Sequence, residues 1–145
     1  MGFLGFGRIA QATLSRLVPF GITDCVYSGN PANTASYAER DAGILKANPT
    51  LKSLKRVDFD TLAKESDVLF AITPGGKDTY HLINEDFLRK MKKHAVVVNT
   101  GRGTTVDSDA LAKALREEWI YAAGVDVVEG EPKIPASHPL VQAPR

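Results

Sequence analysis

Apolar residues in this chain fall into short continuous runs, separated by longer stretches in which apolar and polar positions recur with a helical period. The runs comprise an opening one before Gly5 and then residues 24–28, 68–72, 95–99 and 122–126. They do not alternate between apolar and polar positions, as the strands of a sheet with one solvated face would. The pattern therefore predicts parallel strands that are buried on both faces of a sheet.

Helices are predicted in the gaps between these strands. The apolar side of the first helix is assigned to Ile9, Ala12, Thr13 and Leu17, and Pro19 and Gly21 are expected to end it. Further helices are predicted over residues 60–65, 85–91 and 108–117, with a short one near 35–46. In the 108–117 helix, Leu111, Ala114 and Leu115 form the inward face and Asp107 is the predicted N-cap. This alternation predicts an α/β fold, a Rossmann-type doubly wound parallel sheet.

Composition and charge narrow the range of partners. The chain has 145 residues, 43% of them hydrophobic, which is enough for one core. Its net charge of +1 creates no field that would attract nucleic acid or an anionic membrane, and no metal site is predicted. No apolar stretch reaches transmembrane length. A single cysteine, Cys25, forms no disulfide within the chain, and we expect a reducing, cytoplasmic location.

The first candidate site is the turn between the opening strand and the first helix. Gly5 allows a tight turn, Gly7 lets the backbone approach a pyrophosphate, and Ala10 replaces the third glycine that keeps the helix near its strand. The free N–H groups at the start of that helix favour an anion, and Arg8 adds a formal charge. The predicted cofactor-binding residues here are Gly5, Gly7, Arg8 and Ile9. A glycine-rich turn that binds nothing is the alternative, which the surrounding αβ alternation disfavours.

The second candidate site is the end of the second strand, where Ser28, Gly29 and Asn30 are expected to face the adenosine ribose. None of them is a carboxylate that would accept the ribose 2′-hydroxyl or repel a 2′-phosphate, so NADP (as NADPH) is favoured over NAD. The arginine that would strengthen this choice is missing from the turn. Ser28 and Asn30 could donate hydrogen bonds to the 2′-phosphate. Four basic residues farther along the chain could also reach over to it, although surface charges are the favoured interpretation: Arg40, Lys52, Lys55 and Arg56.

Three later segments carry the remaining chemistry. Residues 99–107 follow a buried strand and open a helix, residues 73–79 follow the preceding strand, and residues 124–132 belong to the next one. Together they resemble the D-isomer-specific 2-hydroxyacid dehydrogenases, and the likeness covers nearly the whole chain. Within that family the chain is most similar to the glyoxylate/hydroxypyruvate reductases, through residues 5–9, 19–21, 27–29 and 137–140.

The resemblance implies roles for individual residues. Arg102 matches the substrate arginine, whose planar guanidinium can clamp the carboxylate of a 2-oxo acid and polarise its carbonyl. Glu131 matches the carboxylate that raises the pKa of the catalytic histidine. Glu129 is the rival for that role, but Glu131 directly precedes Pro132 as in the family, and Glu129 is expected to be solvated. Asp126 matches the position at the nicotinamide. The cleft is expected to be lined further by Thr73, Pro74, Thr79, Thr100 and Gly101.

The catalytic histidine of the family lies in a Pro-His pair after one further strand, and no such pair occurs in this sequence. The three histidines present, His81, His94 and His138, match no catalytic position. Residues 1–145 are therefore expected to be an NAD(P)-binding domain that is incomplete at both ends, without the substrate domain and inactive alone. Pairing of family members through this domain implies a homodimer.

Three functions remain open at this point. The first is the cofactor-binding portion of an NAD(P)-dependent oxidoreductase that reduces small 2-oxo acids, such as glyoxylate or hydroxypyruvate, to 2-hydroxy acids. The second is a non-catalytic NAD(P)-sensing or interaction module, against which Arg102 and Glu131 argue because a sensor needs neither. The third is another Rossmann reductase, such as a formate dehydrogenase or amino-acid dehydrogenase relative, since fold alone does not fix chemistry.

Overall fold

The sheet in this computed structural model, which describes residues 1–145, consists of six parallel strands in the order β3-β2-β1-β4-β5-β6. The strands are β1 (Gly2–Leu4), β2 (Asp24–Ser28), β3 (Ser53–Arg56), β4 (Val68–Ala71), β5 (Val96–Asn99) and β6 (Ala122–Val125). Every neighbouring pair is parallel. The order is that of the doubly wound Rossmann sheet, so the predicted fold class is confirmed.

Five helices connect the strands: α1 (Arg8–Leu17), α2 (Ala38–Ala47), α3 (Phe59–Glu65), α4 (Glu85–Lys90) and α5 (Ser108–Arg116). Three short 3₁₀ turns occupy Val18–Phe20, Lys77–Thr79 and Gly103–Thr105. The Asp107 side chain accepts a hydrogen bond from the Ala110 N–H, so the predicted N-cap of α5 is confirmed. Leu111 and Ala114 in α5 are fully buried, which confirms its inward face.

The prediction missed strand β3, the outermost strand on its side of the sheet. Its sequence Ser-Leu-Lys-Arg has only one buried residue, Leu54, which pairs in register with Cys25 of β2. An edge strand needs little apolar sequence because one edge and much of each face remain solvated. The apolar runs that identified the inner strands therefore had no counterpart here.

The predicted apolar side of α1 was wrong. The helix buries Ala10 and Leu14, followed by Val18 just beyond its end, whereas the side chain of Ile9 is 68% exposed. These buried residues are four positions apart and form one helical face. Ala10 has no exposed surface and belongs to the same core cluster as Phe3 of β1, in agreement with its role as the small residue of the glycine motif. With Ala10 and Leu14 facing the core, Ile9 faces outward.

The apolar core consists of two clusters. The larger contains 18 buried residues, among them Leu62, Leu88 and Leu111 from α3, α4 and α5. The smaller contains nine and is rich in aromatic rings, with Phe3 stacked on Phe70 at 5.3 Å between ring centroids. Residues from β1 and β4 contribute to both clusters, as expected for strands covered on both faces. No helix in the protein combines the length and apolar character needed to span a membrane.

Candidate functional site

The connection from β1 to α1 lies at the carboxyl ends of the strands, beside the point where the sheet order reverses. Gly5 has a φ of 86°, and its N–H donates a hydrogen bond to the Ser28 carbonyl at 2.8 Å. A Cβ atom placed on Gly5 would lie 2.6 Å from the carbonyl oxygen of Ile72. Both the dihedral angle and the close approach require glycine at this position.

The amino end of α1 is open. Gly7 is its N-cap and supplies no side-chain hydrogen bond, and the first turn contains no acidic residue. No atom lies within 4 Å of a Cβ atom placed on Gly7. The first N–H groups of the helix are therefore free to bind an anion, and the helix dipole favours one.

Three cavities border the segment that follows β2. One of about 630 Å³ lies between Ser28, Gly29 and residues 56–61, among them Asp58. The other two, the larger and the smaller cavity, contain most of the predicted site residues. The larger, about 500 Å³, brings together Gly5, Gly29, Asn30, Thr73, Pro74 and Thr79 from the predicted site. The smaller, about 390 Å³, brings together Gly7, Arg8, Ser28, Gly29 and Asn30. Gly29 and Asn30 line both cavities and form a shared wall. The other predicted site residues line neither cavity: Ile9, Thr100, Gly101, Arg102, Asp126 and Glu131.

Two arginines that the sequence analysis interpreted as surface charges line the smaller cavity. The Arg40 guanidinium lies 4.2 Å from the Tyr37 ring centroid and 4.9 Å from that of Tyr27. It also donates two hydrogen bonds to one carboxylate oxygen of Asp41, and its side chain is only 26% exposed. The interpretation as a free surface charge is therefore wrong for Arg40, because aromatic rings and a carboxylate hold it against the domain.

Asp41 also accepts a hydrogen bond of 2.6 Å from the hydroxyl group of Tyr27. Burial and this hydrogen bond raise the pKa of Tyr27 to about 12, so its hydroxyl stays protonated. Tyr27 stacks on Phe6 with 4.4 Å between ring centroids. The stacked rings of Phe6 and Tyr27 thus form one side of the smaller cavity, and the Arg40 guanidinium packs against both rings.

Arg56, at the end of β3, reaches the loop after β2. Its Nη2 atom donates hydrogen bonds to the carbonyl oxygens of Asn30 at 3.1 Å and Asn33 at 2.7 Å. Its Nε and Nη1 atoms and the whole Arg8 guanidinium have no hydrogen-bond partner within the chain. No acidic residue lines this cavity, so its free donors suit a phosphate group.

The ends of β4 and β5 are held together by polar side chains, and of these only Thr73 is among the predicted site residues. The Asn99 side chain accepts a hydrogen bond from the Gly101 N–H and donates one to the Arg102 carbonyl. The hydroxyl groups of Thr73 and Thr105 lie 3.2 Å apart, and both residues are buried. Asn99 could have been recognised as a polar residue at the end of an apolar strand. No local signal identified Thr105.

Arg102 extends from this turn beside the larger cavity. Its Cγ atom lies 3.0 Å from the Cβ position of Gly75, which lines that cavity. Its Nη1 atom donates one hydrogen bond to the Gly101 carbonyl at 2.9 Å, and the side chain makes no ion pair. The remaining guanidinium donors are therefore free for a ligand.

The loop after β6 contains the predicted acidic residues. The Asp126 N–H donates to the Asn99 carbonyl, and the Asp126 residue is exposed. Glu131 closes a turn, because its Oε1 atom accepts a hydrogen bond of 2.8 Å from the Val128 N–H. A Cβ atom on Gly103 would lie only 2.3 Å from the backbone of Val128. The loop after β6 therefore packs directly on the turn that follows Arg102.

Glu129 was expected to be solvated, and that expectation was wrong. Its Oε2 atom lies 2.7 Å from Nε2 of His81.

The other two histidines line neither the larger nor the smaller cavity. The exposed His94 pairs with Asp67, and the Nδ1 atom of His138 accepts a hydrogen bond from the Leu140 N–H. The Lys92 ammonium and the His94 ring lower the pKa of Asp67.

Comparison with known proteins agrees with this geometry. The model of the NAD binding domain of D-isomer specific 2-hydroxyacid dehydrogenases matches residues 1–145. A glyoxylate reductase from Thermofilum pendens is 42% identical over 142 residues, covering 98% of this chain and 38% of that protein. The crystal structure of a glyoxylate reductase from Paecilomyes thermophila has a TM-score of 0.78 at 31% identity, with 97% of this chain and 38% of that chain covered.

A second solved structure has a different activity. The NAD-dependent formate dehydrogenase from Staphylococcus aureus, in complex with NAD, has a TM-score of 0.78 at 35% identity, covering 99% of this chain and 39% of that chain. The present chain thus spans about two fifths of the length of these relatives. The match to the domain model nevertheless extends over every residue of the chain. The chain belongs to the D-isomer specific 2-hydroxyacid dehydrogenase family and corresponds to its NAD binding domain.

Proposed function

We propose that this domain is the cofactor-binding part of a reductase that converts small 2-oxo acids, of the glyoxylate or hydroxypyruvate type, to 2-hydroxy acids with NADPH. The observation that carries the proposal is Arg102: its Cγ atom packs 3.0 Å from the Cβ position of Gly75, which lines the larger cavity, and its guanidinium makes only one hydrogen bond within the chain. The name of the Thermofilum pendens relative, glyoxylate reductase, supports the substrate class. A module that only senses nucleotide has no use for a free arginine at this position.

The residues present fit a dinucleotide. The open amino end of α1 and the backbone of Gly7 would bind the pyrophosphate, because free N–H groups and the helix dipole attract anions there. Bound nicotinamide cofactor supplies the hydride. Asp126 would accept a hydrogen bond from the carboxamide, which fixes the orientation of the nicotinamide ring. The backbone of residues 29–30 would run beside the adenosine ribose.

Arg102 would bind the substrate carboxylate and polarise the carbonyl that is reduced. A guanidinium can donate two parallel hydrogen bonds to a carboxylate, and this geometry holds the substrate in one orientation. Glu131 would hydrogen-bond the family's histidine and hold its proton ready for the carbonyl oxygen. Its Oε1 atom accepts from the Val128 N–H, and its Oε2 atom has no hydrogen-bond partner within the chain and could accept from that histidine.

NADPH is the proposed cofactor rather than NADH for two reasons. First, residues 28–30 contain no carboxylate that would repel a 2′-phosphate. Second, Arg8 and Arg56 offer free donors in a cavity without acidic lining, which compensates for the missing arginine in the loop after β2. Because the Staphylococcus aureus relative was solved with NAD, family membership alone does not select NADPH.

Removal of the Arg56 charge should weaken NADPH binding selectively. We expect Arg56→Gln to raise the Kd of NADPH about tenfold or more, the value of a charge-assisted hydrogen bond, and to leave the Kd of NADH nearly unchanged. Isothermal titration calorimetry of both cofactors measures this. The matched control is Lys55→Gln, which removes the same charge from the neighbouring exposed residue that lines neither cavity. Tighter binding of NADH than NADPH by the unmodified protein would overturn the cofactor assignment.

The proposed reaction is tested with the full-length protein by following NADPH absorbance in the presence of glyoxylate, hydroxypyruvate or pyruvate. We expect turnover with at least one of these acids and none with simple aldehydes, because an aldehyde lacks the carboxylate for Arg102. Oxidation of formate with NAD, in the absence of 2-oxo acid reduction, would instead assign the chain to the chemistry of the formate dehydrogenase relative.

A homodimer and a cytoplasmic location belong to the same proposal. The single buried Cys25 supports a reducing compartment, and the family resemblance supports pairing through this domain. The 84% exposed ring of Phe20 provides apolar surface that pairing would cover.

A further inference from the structure

His81 and Glu129 form a pair that joins two loops of the candidate site. His81 belongs to the segment after β4, and Glu129 belongs to the loop after β6; the two residues are 48 positions apart in the sequence. The distance between Nε2 and Oε2 is 2.7 Å, and only 26% of the His81 side chain and 31% of the Glu129 side chain are exposed. An ion pair that is partly shielded from solvent contributes more to stability than a fully exposed one.

The surroundings of His81 fix its ring in place. Tyr80 stacks on the imidazole with 3.8 Å between centroids and an interplanar angle of 14°. Nδ1 of His81 lies 3.8 Å from an Asp107 carboxylate oxygen, on the side opposite Glu129. The His81 backbone N–H donates to the Thr104 carbonyl at 2.8 Å. The backbone of His81 is thus bonded to the turn after Arg102, and its ring is held between Tyr80, Asp107 and Glu129.

Glu129 in turn belongs to the tight turn that presents Glu131. Gly130 has a φ of 96°, and the Val128 N–H donates to the Glu131 carboxylate, so residues 128–131 form one compact unit. On one side this unit rests on the backbone of Gly103. The pair with His81 is the only side-chain ion pair that ties the unit to the segment after β4. The Tyr80 hydroxyl also approaches Glu129, and burial together with this carboxylate raises the pKa of Tyr80. Without His81, the turn would be held by Tyr80, by the Gly103 contact and by its own hydrogen bonds.

We propose that the His81–Glu129 pair is a positioning device: it holds the turn of residues 128–131 against the segment after β4 and thereby sets where the Glu131 carboxylate stands relative to Arg102. His81 does not contact the reacting atoms in this role. The effect is transmitted through the position of the turn, and small displacements of a catalytic group are costly. The inference rests on the proposed function in one respect, namely that Glu131 is a catalytic residue.

The backbone of His81 determines which variants are informative. Its φ is 48°, in the left-handed region that asparagine and glycine tolerate better than most residues. His81→Asn therefore keeps the backbone while its side chain is too short to reach Glu129. His81→Gln has the length and an N–H donor to restore the contact. On the other loop, Glu129→Ala removes the acceptor and Glu129→Gln retains it.

In the full-length protein, we expect His81→Asn and Glu129→Ala each to lower kcat about tenfold or more, with the Kd of NADPH unchanged. The double variant should be no worse than Glu129→Ala alone, because Glu129→Ala already removes the interaction that His81→Asn removes. His81→Gln should recover much of the lost kcat. Hydrogen–deuterium exchange of the peptide that covers residues 126–132 should be faster in His81→Asn and Glu129→Ala and near normal in His81→Gln.

Several outcomes would overturn the proposal. Unchanged exchange of residues 126–132 would show that the pair does not hold the turn. Faster exchange with a normal kcat would show that the turn's position does not matter for Glu131, and multiplicative losses in the double variant would show that the two residues act separately. If the unmodified protein reduces no 2-oxo acid, the proposed function fails, and the exchange rates still decide whether the pair holds the turn.

Discussion

In the full-length protein, replacement of Arg102 with lysine is expected to lower kcat/KM for 2-oxo acids about 100- to 1,000-fold, the usual cost of losing one fixed donor to a developing negative charge. Lysine keeps the positive charge but is a rotating point donor that cannot form the two parallel hydrogen bonds. The Arg102 side chain makes only one hydrogen bond within the chain, to the adjacent carbonyl of Gly101. Folding and cofactor binding should therefore be little affected.

Steady-state kinetics with glyoxylate and hydroxypyruvate measure this loss, and thermal unfolding checks that the fold is intact. The matched control is Arg116→Lys, at the exposed end of α5, where the same chemical change should leave kcat/KM unaltered. Near-normal catalytic efficiency in Arg102→Lys would mean that Arg102 has a structural role only.

Gly103→Ala is expected to destabilise the protein by about 3 kcal/mol, because an added Cβ would overlap a tightly packed backbone. That atom would lie 2.3 Å from the carbonyl carbon of Val128 and 2.4 Å from the Glu129 nitrogen, so the loop after β6 would have to move. The same displacement would shift Glu131, which lies two residues after Glu129 in this loop. We therefore expect kcat to fall even at temperatures at which the variant remains folded.

Urea unfolding provides the stability measurement, with Gly43→Ala as the matched control. Gly43 lies in α2, and no atom lies within 4 Å of its Cβ position. Alanine there should stabilise the protein by about 0.5–1 kcal/mol, because glycine loses more backbone entropy in a helix. Equal stability changes of the same sign in the two variants would contradict the assigned contact between the two loops.

The inner part of the fold could be predicted because its signals are local. A continuous apolar run such as residues 95–99 is required wherever a strand is covered on both faces, and the helix N-cap at Asp107 lies next to its helix. The edge strand β3 has no such run, since Leu54 alone is buried. The side of α1 that faces the sheet was misjudged because Ile9 and Leu14 are both apolar, and only contact with the sheet chooses between them.

In the candidate site, too, the parts that are continuous in sequence were predictable, and the part assembled from several elements was not. The glycine turn at Gly5 and the segment around Arg102 are continuous in sequence, so their pattern alone indicated them. The smaller cavity is lined by Arg8, Arg40 and Arg56, which belong to three different elements. Their proximity follows from the packing of α2 and β3 beside β2, and no spacing along the chain encodes it.

The shared wall at Gly29 and Asn30 has a consequence for how such a domain can diverge. Mutations of Gly29 or Asn30 would alter both cavities, whereas Arg8, Arg40 and Arg56 line the smaller cavity and not the larger one. The choice between NADPH and NADH could therefore change at these arginines while Arg102 and the rest of the cleft stay as they are. A lineage could exchange one redox pool for another while the acid that it reduces stays the same.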